Sequence, residues 1–260
     1  MFDWWRERQR DKLLQEPFQE AWERALQRNV KHYLRLPDEQ RKELRDLVQV
    51  FVAEKNWEGC GGLELTDEMK VTIAAQACLL VLARPHKLYD DVESIFVYPS
   101  AVMRPKQEQG VFIRSRELVA PGPTALLGEA HVRGPVILAW DRVLRDGKNP
   151  TDGHNLVYHE FAHKLDMEDG SPDGTPELAT RAEVERWRDV CERSFLTLRK
   201  RIERGEHTFL DAYGATNEAE FFAVATEHFF DQPRELKRVD PDLYAILSGF
   251  YHQDPASMGA

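Results

Sequence analysis

The N-terminal part of the chain has the spacing of apolar residues that is typical of amphipathic helices. In the stretch FQEAWERALQRNVKHYLRL, apolar residues recur at steps of three and four: Trp22, Leu26, Val30 and Tyr33. This periodicity predicts one continuous helix with a single apolar face. A second helix is predicted with Pro37 in its first turn. Thr66 is a suitable N-cap for a third helix, whose alanine-rich middle indicates a buried element.

From Ser94 onward the pattern changes to short runs of β-branched and aromatic residues between glycines and prolines. Three such runs predict strands: SIFVYPS, GVFIRSRE (Gly110 to Glu117) and GPVILAWDRV. Helical spacing then returns and predicts helices near Glu177–Arg204, Asn217–Phe230 and Leu243–Tyr251. The expected fold class is α+β, mostly helical, with a small mixed sheet.

Length and charge narrow the class of protein. A chain of 260 residues that is 42% hydrophobic can bury a sizeable core. We predict one domain over 1–260, with an N-terminal helical segment at 1–60 and the strands and later helices at 94–260. The formal net charge is −10, and no basic run with interleaved aromatic residues stands out, so direct nucleic-acid binding is not expected.

The N-terminus and the cysteines indicate a cytoplasmic protein. The start, MFDWWRERQRDK, lacks the uninterrupted apolar core of a secretion signal, and the apolar segment AAQACLLVLA is too short to span a bilayer. Three cysteines without a CxxC pair suit a reducing compartment, and they argue against a disulfide framework or a cysteine-rich zinc site.

The segment NLVYHEFAHKLDMEDG contains an HExxH motif within a predicted helix. His159 and His163 are separated by about 400° of helical rotation, so both imidazoles project from nearly one face and could reach one metal ion. Glu160 lies about 100° to the side, where its carboxylate could act on a water molecule as a general base. The alternative is an ordinary surface helix that carries two histidines.

A catalytic zinc ion generally needs a third protein ligand and an open position for water. The segment DAYGATNEAEFFAVATEHFF places Glu220 in a second predicted helix, and Glu220 is the expected third ligand. Asn217 and Glu220 also have the spacing of a capping box, in which the carboxylate would serve its own backbone instead.

Two further acids have open roles. Glu227, two turns after Glu220, could orient a ligand histidine or be a solvated helix charge, and Asp166 could support an imidazole. Either acid could instead close a structural zinc site as its fourth ligand.

The remaining candidates are isolated polar side chains. Tyr213 precedes the second helix, and its hydroxyl could donate a hydrogen bond to a developing oxyanion, although a loop tyrosine often only packs. His154 and His228 have no comparable spacing and are interpreted as incidental.

The segments HEFAHKLDMEDG and DAYGATNEAEFFAV resemble the Mlc titration factor A family of bacterial zinc peptidases. The likeness extends to SIFVYPS, GPVILAWDRV and the ending FYHQDP, so it covers nearly the whole chain. The stretch YGATNEAEFFA is also similar to part of the protease domain of the anthrax lethal factor. The resemblance implies a zincin-like metallopeptidase fold with one Zn²⁺ per chain.

The resemblance also implies roles for the individual residues. His159, His163 and Glu220 would be the zinc ligands, Glu160 the catalytic base and Tyr213 an assisting tyrosine. The implied activity is hydrolysis of peptide bonds, of aminopeptidase type. The implied partner is the transcriptional repressor Mlc, through which the chain would regulate the glucose phosphotransferase system. A non-catalytic protein that binds and titrates such a partner, with a zinc site, is the alternative.

Overall fold

The structure is a computed structural model that describes residues 2–84, 88–100 and 134–258. Its N-terminal helices are α1 (Phe2–Leu13), α2 (Glu20–Asn29), α3 (Lys31–Arg35), α4 (Asp38–Glu54) and α5 (Asp67–Leu79). The three described strands are β1 (Asn56–Gly59), which lies between α4 and α5, and β2 (Ser94–Tyr98) and β3 (Val136–Ala139), which follow α5. The helices that follow β3 are α6 (Trp140–Lys148), α7 (Leu156–Asp166), α8 (Arg181–Glu203), α9 (Glu218–Asp231), α10 (Pro233–Val239) and α11 (Pro241–Tyr251).

The stretch predicted as one long N-terminal helix is divided at Val30. Val30 has extended backbone angles, φ −124° and ψ 91°, and it both ends α2 and precedes α3. Its side chain is fully buried, as are those of Leu26 and Tyr33. The apolar periodicity therefore continues across the break, which explains why the spacing alone predicted a continuous helix. Pro37 lies one position before α4 and is its N-cap residue.

The sheet has the order β1-β2-β3, and all three described strands are parallel, where a mixed sheet was expected. Parallel neighbours require a crossover connection, and α5 provides it between β1 and β2. The predicted cap is present, because the Thr66 side chain accepts a hydrogen bond from the backbone N–H of Met69. Residues 71–79 of α5 are all buried, as the alanine-rich sequence indicated.

Two of the predicted strands have different outcomes. SIFVYPS forms β2 as predicted, but GPVILAWDRV forms a strand only as far as Ala139. From Trp140 the chain is helical, and Val143 and Gly147 are buried at helical spacing. The predicted strand GVFIRSRE lies outside the described residues.

The C-terminal helices largely agree with the predicted ones. α8 begins at Arg181, because Thr180 and Glu183 form a capping box there. α9 is buried on all sides from Glu220 to Asp231. The short helix α10 was not predicted. The mostly helical α+β class is confirmed, whereas the assignment of 1–260 to a single domain stays a prediction.

No helix in the part of the chain that the structure describes is long and apolar enough to cross a membrane.

α7 and α9 pack against one another in the interior, where the ring centroids of Tyr158 and Phe230 lie 5.3 Å apart. One turn further along the same face of α7, the ring centroids of Phe161 and Tyr89 are 4.8 Å apart.

Gly174, in the connection between α7 and α8, contacts residues of α8 and α9. Its N–H donates to Asp166 Oδ2 at 3.0 Å, and its carbonyl accepts from the indole N–H of Trp187 at 2.9 Å. The backbone at Gly174 is left-handed, with φ +77°, and a Cβ atom there would lie 2.4 Å from the carbonyl oxygen of Glu218. Only glycine allows this close approach between the α7–α8 connection and the start of α9.

We expect Gly174→Ala to lower the free energy of unfolding by roughly 2–5 kcal/mol. A left-handed backbone costs an alanine about 1–2 kcal/mol, and the clash with the Glu218 carbonyl adds a packing cost. Urea denaturation measures the change. The matched control is Gly170→Ala, where φ is +94° and nothing lies within 4 Å of the added methyl group. Equal losses in the two variants would show that the close approach is not a constraint.

Candidate metal centre

The HExxH helix α7 is fixed at its start and along one side. The side chain of Asn155 caps it by accepting a hydrogen bond from the Tyr158 N–H at 3.0 Å. Val157, Phe161 and Leu165 form an apolar stripe along the helix, and all three are fully buried. Capping and burial together hold the helix in one orientation, and the two histidines project from its other side.

The two imidazoles converge as the motif predicted. The Nε2 atoms of His159 and His163 are 3.2 Å apart, and the ring centroids are separated by 4.8 Å. His163 is buried, and the side chain of His159 is 13% exposed. The small exposed fraction leaves this site a narrow opening to solvent.

Glu220 meets both histidines from α9. Its Oε2 atom lies 3.0 Å from His159 Nε2 and 3.4 Å from His163 Nε2. This oxygen is buried and lies within ion-pair distance of both rings, without a partner in hydrogen-bond geometry. One half of the capping-box alternative is observed, because the Asn217 side chain accepts a hydrogen bond from the Glu220 N–H at 2.9 Å. The Glu220 carboxylate is directed to the histidines.

The three converging atoms fit a divalent metal ion. A tetrahedral zinc ion with bonds of about 2.0–2.2 Å separates its ligand atoms by roughly 3.3 Å. The observed separations are 3.0, 3.2 and 3.4 Å. Among the described residues, His159, His163 and Glu220 are the group of histidines, cysteines and acids with this arrangement. The unsatisfied Glu220 oxygen is the observation that a bound cation would explain.

Glu227 binds His159 through Nδ1, the ring nitrogen that does not face His163 and Glu220. Its Oε1 accepts from His159 Nδ1 at 2.8 Å, and its Oε2 accepts from the backbone N–H of Asn155 at 2.5 Å. A proton on Nδ1 leaves the Nε2 lone pair directed toward His163 and Glu220, which is the tautomer that a metal ligand requires. Of the two roles considered for Glu227, orientation of a histidine matches this geometry.

Asp166 has a different environment from the one expected. Its Oδ2 accepts from the Gly174 N–H, and no hydrogen bond joins Asp166 to either imidazole in the described part of the chain. Burial raises the pKa of Asp166 to about 6. Both oxygens of Glu227 accept hydrogen bonds elsewhere, and in the described part of the chain neither acid belongs to the group of converging ligand atoms.

The electrostatics of the centre favour positive charge. Burial alone lowers the pKa of His159, but the acids Glu220 and Glu227 outweigh it and raise the pKa to about 10. Burial raises the pKa of Glu220, yet the nearby imidazoles of His159 and His163 bring it down to about 2. Ionised carboxylates and a cationic centre therefore stabilise one another here, which is the setting that a bound cation needs.

Glu160 and Tyr213 lie beside the converging atoms. Glu160 is half-buried on α7, and burial raises its pKa while the two imidazoles counteract the rise. Tyr213 lies in the short 3₁₀ helix Ala212–Ala215, whose start is capped by the Asp211 side chain. Its ring centroid is 6.0 Å from that of His159. The structure thus brings all five predicted site residues into one region.

His154 and His228, the two histidines interpreted as incidental, lie apart from this centre. His228 is buried, with Nδ1 2.9 Å from the Val224 carbonyl and Nε2 3.1 Å from the Phe209 carbonyl. His154 Nε2 is 3.7 Å from Asp211 Oδ2. Both positions agree with their interpretation as incidental to the motif.

The polar support behind α7 was not found from the sequence. The side-chain amide of Asn155 donates to Gln76 Oε1 at 2.9 Å, and the N–H of Leu156 donates to Asp146 Oδ2 at 3.1 Å. Asn155 had a local signal, since asparagine is a favoured N-cap. Gln76 and Asp146 had none, because their contacts depend on how α5 and α6 pack against α7.

Comparisons with known proteins agree with the resemblance. Residues 2–252 match the family described as "Glucose-regulated metallo-peptidase M90". The chain is 37% identical over 252 residues to the uncharacterized protein slr2042 of Synechocystis sp., covering 96% of this chain and 89% of the relative. It is 34% identical over 224 residues to Mlc titration factor A of Serratia proteamaculans (84% and 83% of the two chains). It is 31% identical over 237 residues to Mlc titration factor A of Yersinia pestis (90% and 84%).

We expect Glu227→Gln to weaken Zn²⁺ binding by about 10–100-fold, the usual effect of removing a partner that orients a ligand histidine. The glutamate accepts hydrogen bonds from two N–H groups. A glutamine would place its own NH₂ donor against one of them, so one of the two hydrogen bonds would be lost. Competition with a chromophoric chelator measures the affinity.

Glu218→Gln is the control for this experiment, because it neutralises an exposed carboxylate in the first turn of the same helix. Zinc affinity should be unchanged in the control. An equal loss in both variants would assign the effect to net charge rather than to the bond with His159.

Proposed function

This chain belongs to the glucose-regulated metallo-peptidase family M90, and we propose that it hydrolyses peptide bonds with one zinc ion held by His159, His163 and Glu220. The observation that carries the proposal is the convergence of their three ligating atoms at 3.0–3.4 Å, together with the bond from His159 Nδ1 to Glu227. Two histidines on one helix and an acid on a neighbouring helix are consistent with a zincin-like architecture.

Zinc, when bound, would polarise the substrate carbonyl and make hydroxide available near neutral pH. In our proposal Glu160 takes the proton from the attacking water and returns it to the leaving amine nitrogen. The raised pKa of Glu160 supports this role, because a general base works best when its pKa is close to the working pH.

Tyr213 is proposed to donate a hydrogen bond from its hydroxyl to the oxyanion that forms when water adds to the carbonyl. Its ring faces His159 at 6.0 Å with an interplanar angle of 40°. The Asp211 side chain accepts a hydrogen bond from the Tyr213 N–H at 2.7 Å, which fixes the backbone at this position. A fixed donor costs little reorganisation during the reaction.

β3 is the proposed site for the substrate backbone. It is the last strand in the order of the described sheet, and β2 pairs with only one of its edges. The chain just before it is tied to the metal helix, because Lys164 Nζ donates to the Gly134 carbonyl at 2.9 Å. An extended peptide that pairs with the other edge of β3 would lie beside α7.

Aminopeptidase-type cleavage and binding of the Mlc repressor are proposed on the family resemblance. Relatives that carry the name Mlc titration factor A support the second candidate function, in which the chain binds and sequesters a partner. Hydrolysis and sequestration are separable, since only hydrolysis requires the general base. A cytoplasmic location stays a prediction.

Glu160→Gln should lower the hydrolysis of fluorogenic peptides by at least about 100-fold, because the general base is lost. Zinc content should stay at one ion per chain, because Glu160 is not a proposed ligand. The control is Glu192→Gln, an exposed acid on α8. Peptides with free and acetylated N-termini are compared in the same assay to test the aminopeptidase assignment.

Unchanged turnover in Glu160→Gln would contradict the assigned base. Wild-type protein that holds one zinc ion and cleaves no peptide would favour sequestration. Repressor binding that survives in Glu160→Gln would show that titration does not depend on hydrolysis.

Tyr213→Phe should lower kcat by about 10²–10³-fold, the effect of removing one oxyanion donor, with little change in KM. The substitution keeps the ring and removes only the hydroxyl. Zinc content and thermal unfolding monitor the integrity of the site. A change confined to KM would show that the tyrosine contributes to substrate binding alone.

A further inference from the structure

A basic groove lies between α3 and the end of α6, on residues that have no part in the metal centre. It is lined by Lys31, Leu34 and Arg35 of α3, by Lys148, and by residues 149–151. The cavity is open and has a volume of about 510 Å³. It is therefore large enough for a short stretch of polypeptide or a small molecule.

Within the described ranges, the three cations of this basic groove form no close ion pair. Among the described residues, none of Lys31, Arg35 and Lys148 forms a salt bridge or a side-chain hydrogen bond. Basic side chains close by are paired: Arg41 with Asp38, and Arg145 with Asp146. Three cations without a close ion pair therefore surround one cavity in a chain whose net charge is −10.

The buried groups behind α3 leave this positive charge in place. His32 Nε2 and Asp231 Oδ1 are 3.0 Å apart and both residues are buried. Burial lowers the pKa of His32 to about 3 and raises the pKa of Asp231 well above its usual value. Burial therefore opposes charge on both of these groups, which lie behind Arg35.

The groove also presents apolar surface. The side chain of Leu34 is 45% exposed, although it is a large hydrophobic residue. Pro150, which is largely buried, also lines the groove. No aromatic side chain lines the groove among the described residues, so it lacks the stacking surface that single-stranded nucleic acids use. Its open shape and its mixture of cations with aliphatic groups match an acidic peptide segment better than a compact anion.

We propose that the basic groove binds an acidic segment of a partner protein, with Lys31, Arg35 and Lys148 pairing with carboxylates and Leu34 contacting an aliphatic side chain. The proposal concerns binding alone and does not depend on peptide hydrolysis. Charge complementarity supports it, since the rest of the protein is acidic and would repel such a segment elsewhere.

The probe is a fluorescein-labelled dodecapeptide of glutamates and two leucines, blocked at both ends, and its anisotropy is measured at low salt. Mass spectrometry after the assay checks that the probe is intact. We expect saturable binding that weakens at least about tenfold in the triple variant Lys31→Gln, Arg35→Gln, Lys148→Gln. Leu34→Ser should weaken binding several-fold without a change in charge.

The matched control is the triple variant Arg186→Gln, Arg188→Gln, Lys200→Gln, which removes the same charge from exposed positions of α8. Circular dichroism checks that both triple variants fold. Equal weakening in the two triples, or no binding by the wild type, would overturn the proposal. Inorganic phosphate or a single-stranded oligonucleotide that binds the groove more tightly than the peptide would overturn it in favour of those ligands.

Discussion

The burial of α9 against α7 is the constraint on which the candidate metal centre depends. A carboxylate removed from water is costly unless it is paired and hydrogen-bonded. α9 nevertheless carries the buried acids Glu220, Glu227 and Asp231, and each one contacts a histidine. The histidines of α7 therefore satisfy two acids that would otherwise destabilise the core. A divalent ion between them would balance the same charges with better geometry than a proton.

Short-range sequence information accounts for most of the elements around this centre. The caps at Thr66 and Asn217 lie where the sequence indicated helix starts, and HExxH spacing correctly predicted that His159 and His163 converge. The family assignment and the α+β class are confirmed. Helical periodicity and capping act over a few residues, so a single sequence is sufficient to predict them.

Interactions between distant segments were harder to predict. The role of Glu227 stayed open in the sequence because its bond to His159 depends on the packing of α7 against α9. The break at Val30 has no periodicity signal, since Val30 is itself a buried apolar position. The strand β1, NWEG, is mostly exposed and is defined only by pairing with β2. In each case the missing information is a tertiary contact, which can override local preference.

The wall of the basic groove continues directly into the metal helix. The Thr151 carbonyl accepts from Gln232 Nε2 at 2.5 Å, Gly153 packs tightly against the ring of His228, and the Asn155 N–H is bound to Glu227. A ligand shifts a distant site only if it binds two conformations with different affinity. The connecting segment is anchored at Thr151, Gly153 and Asn155, and the described residues show a single arrangement of it. We therefore interpret the groove as a surface that recruits a partner rather than one that switches the metal centre.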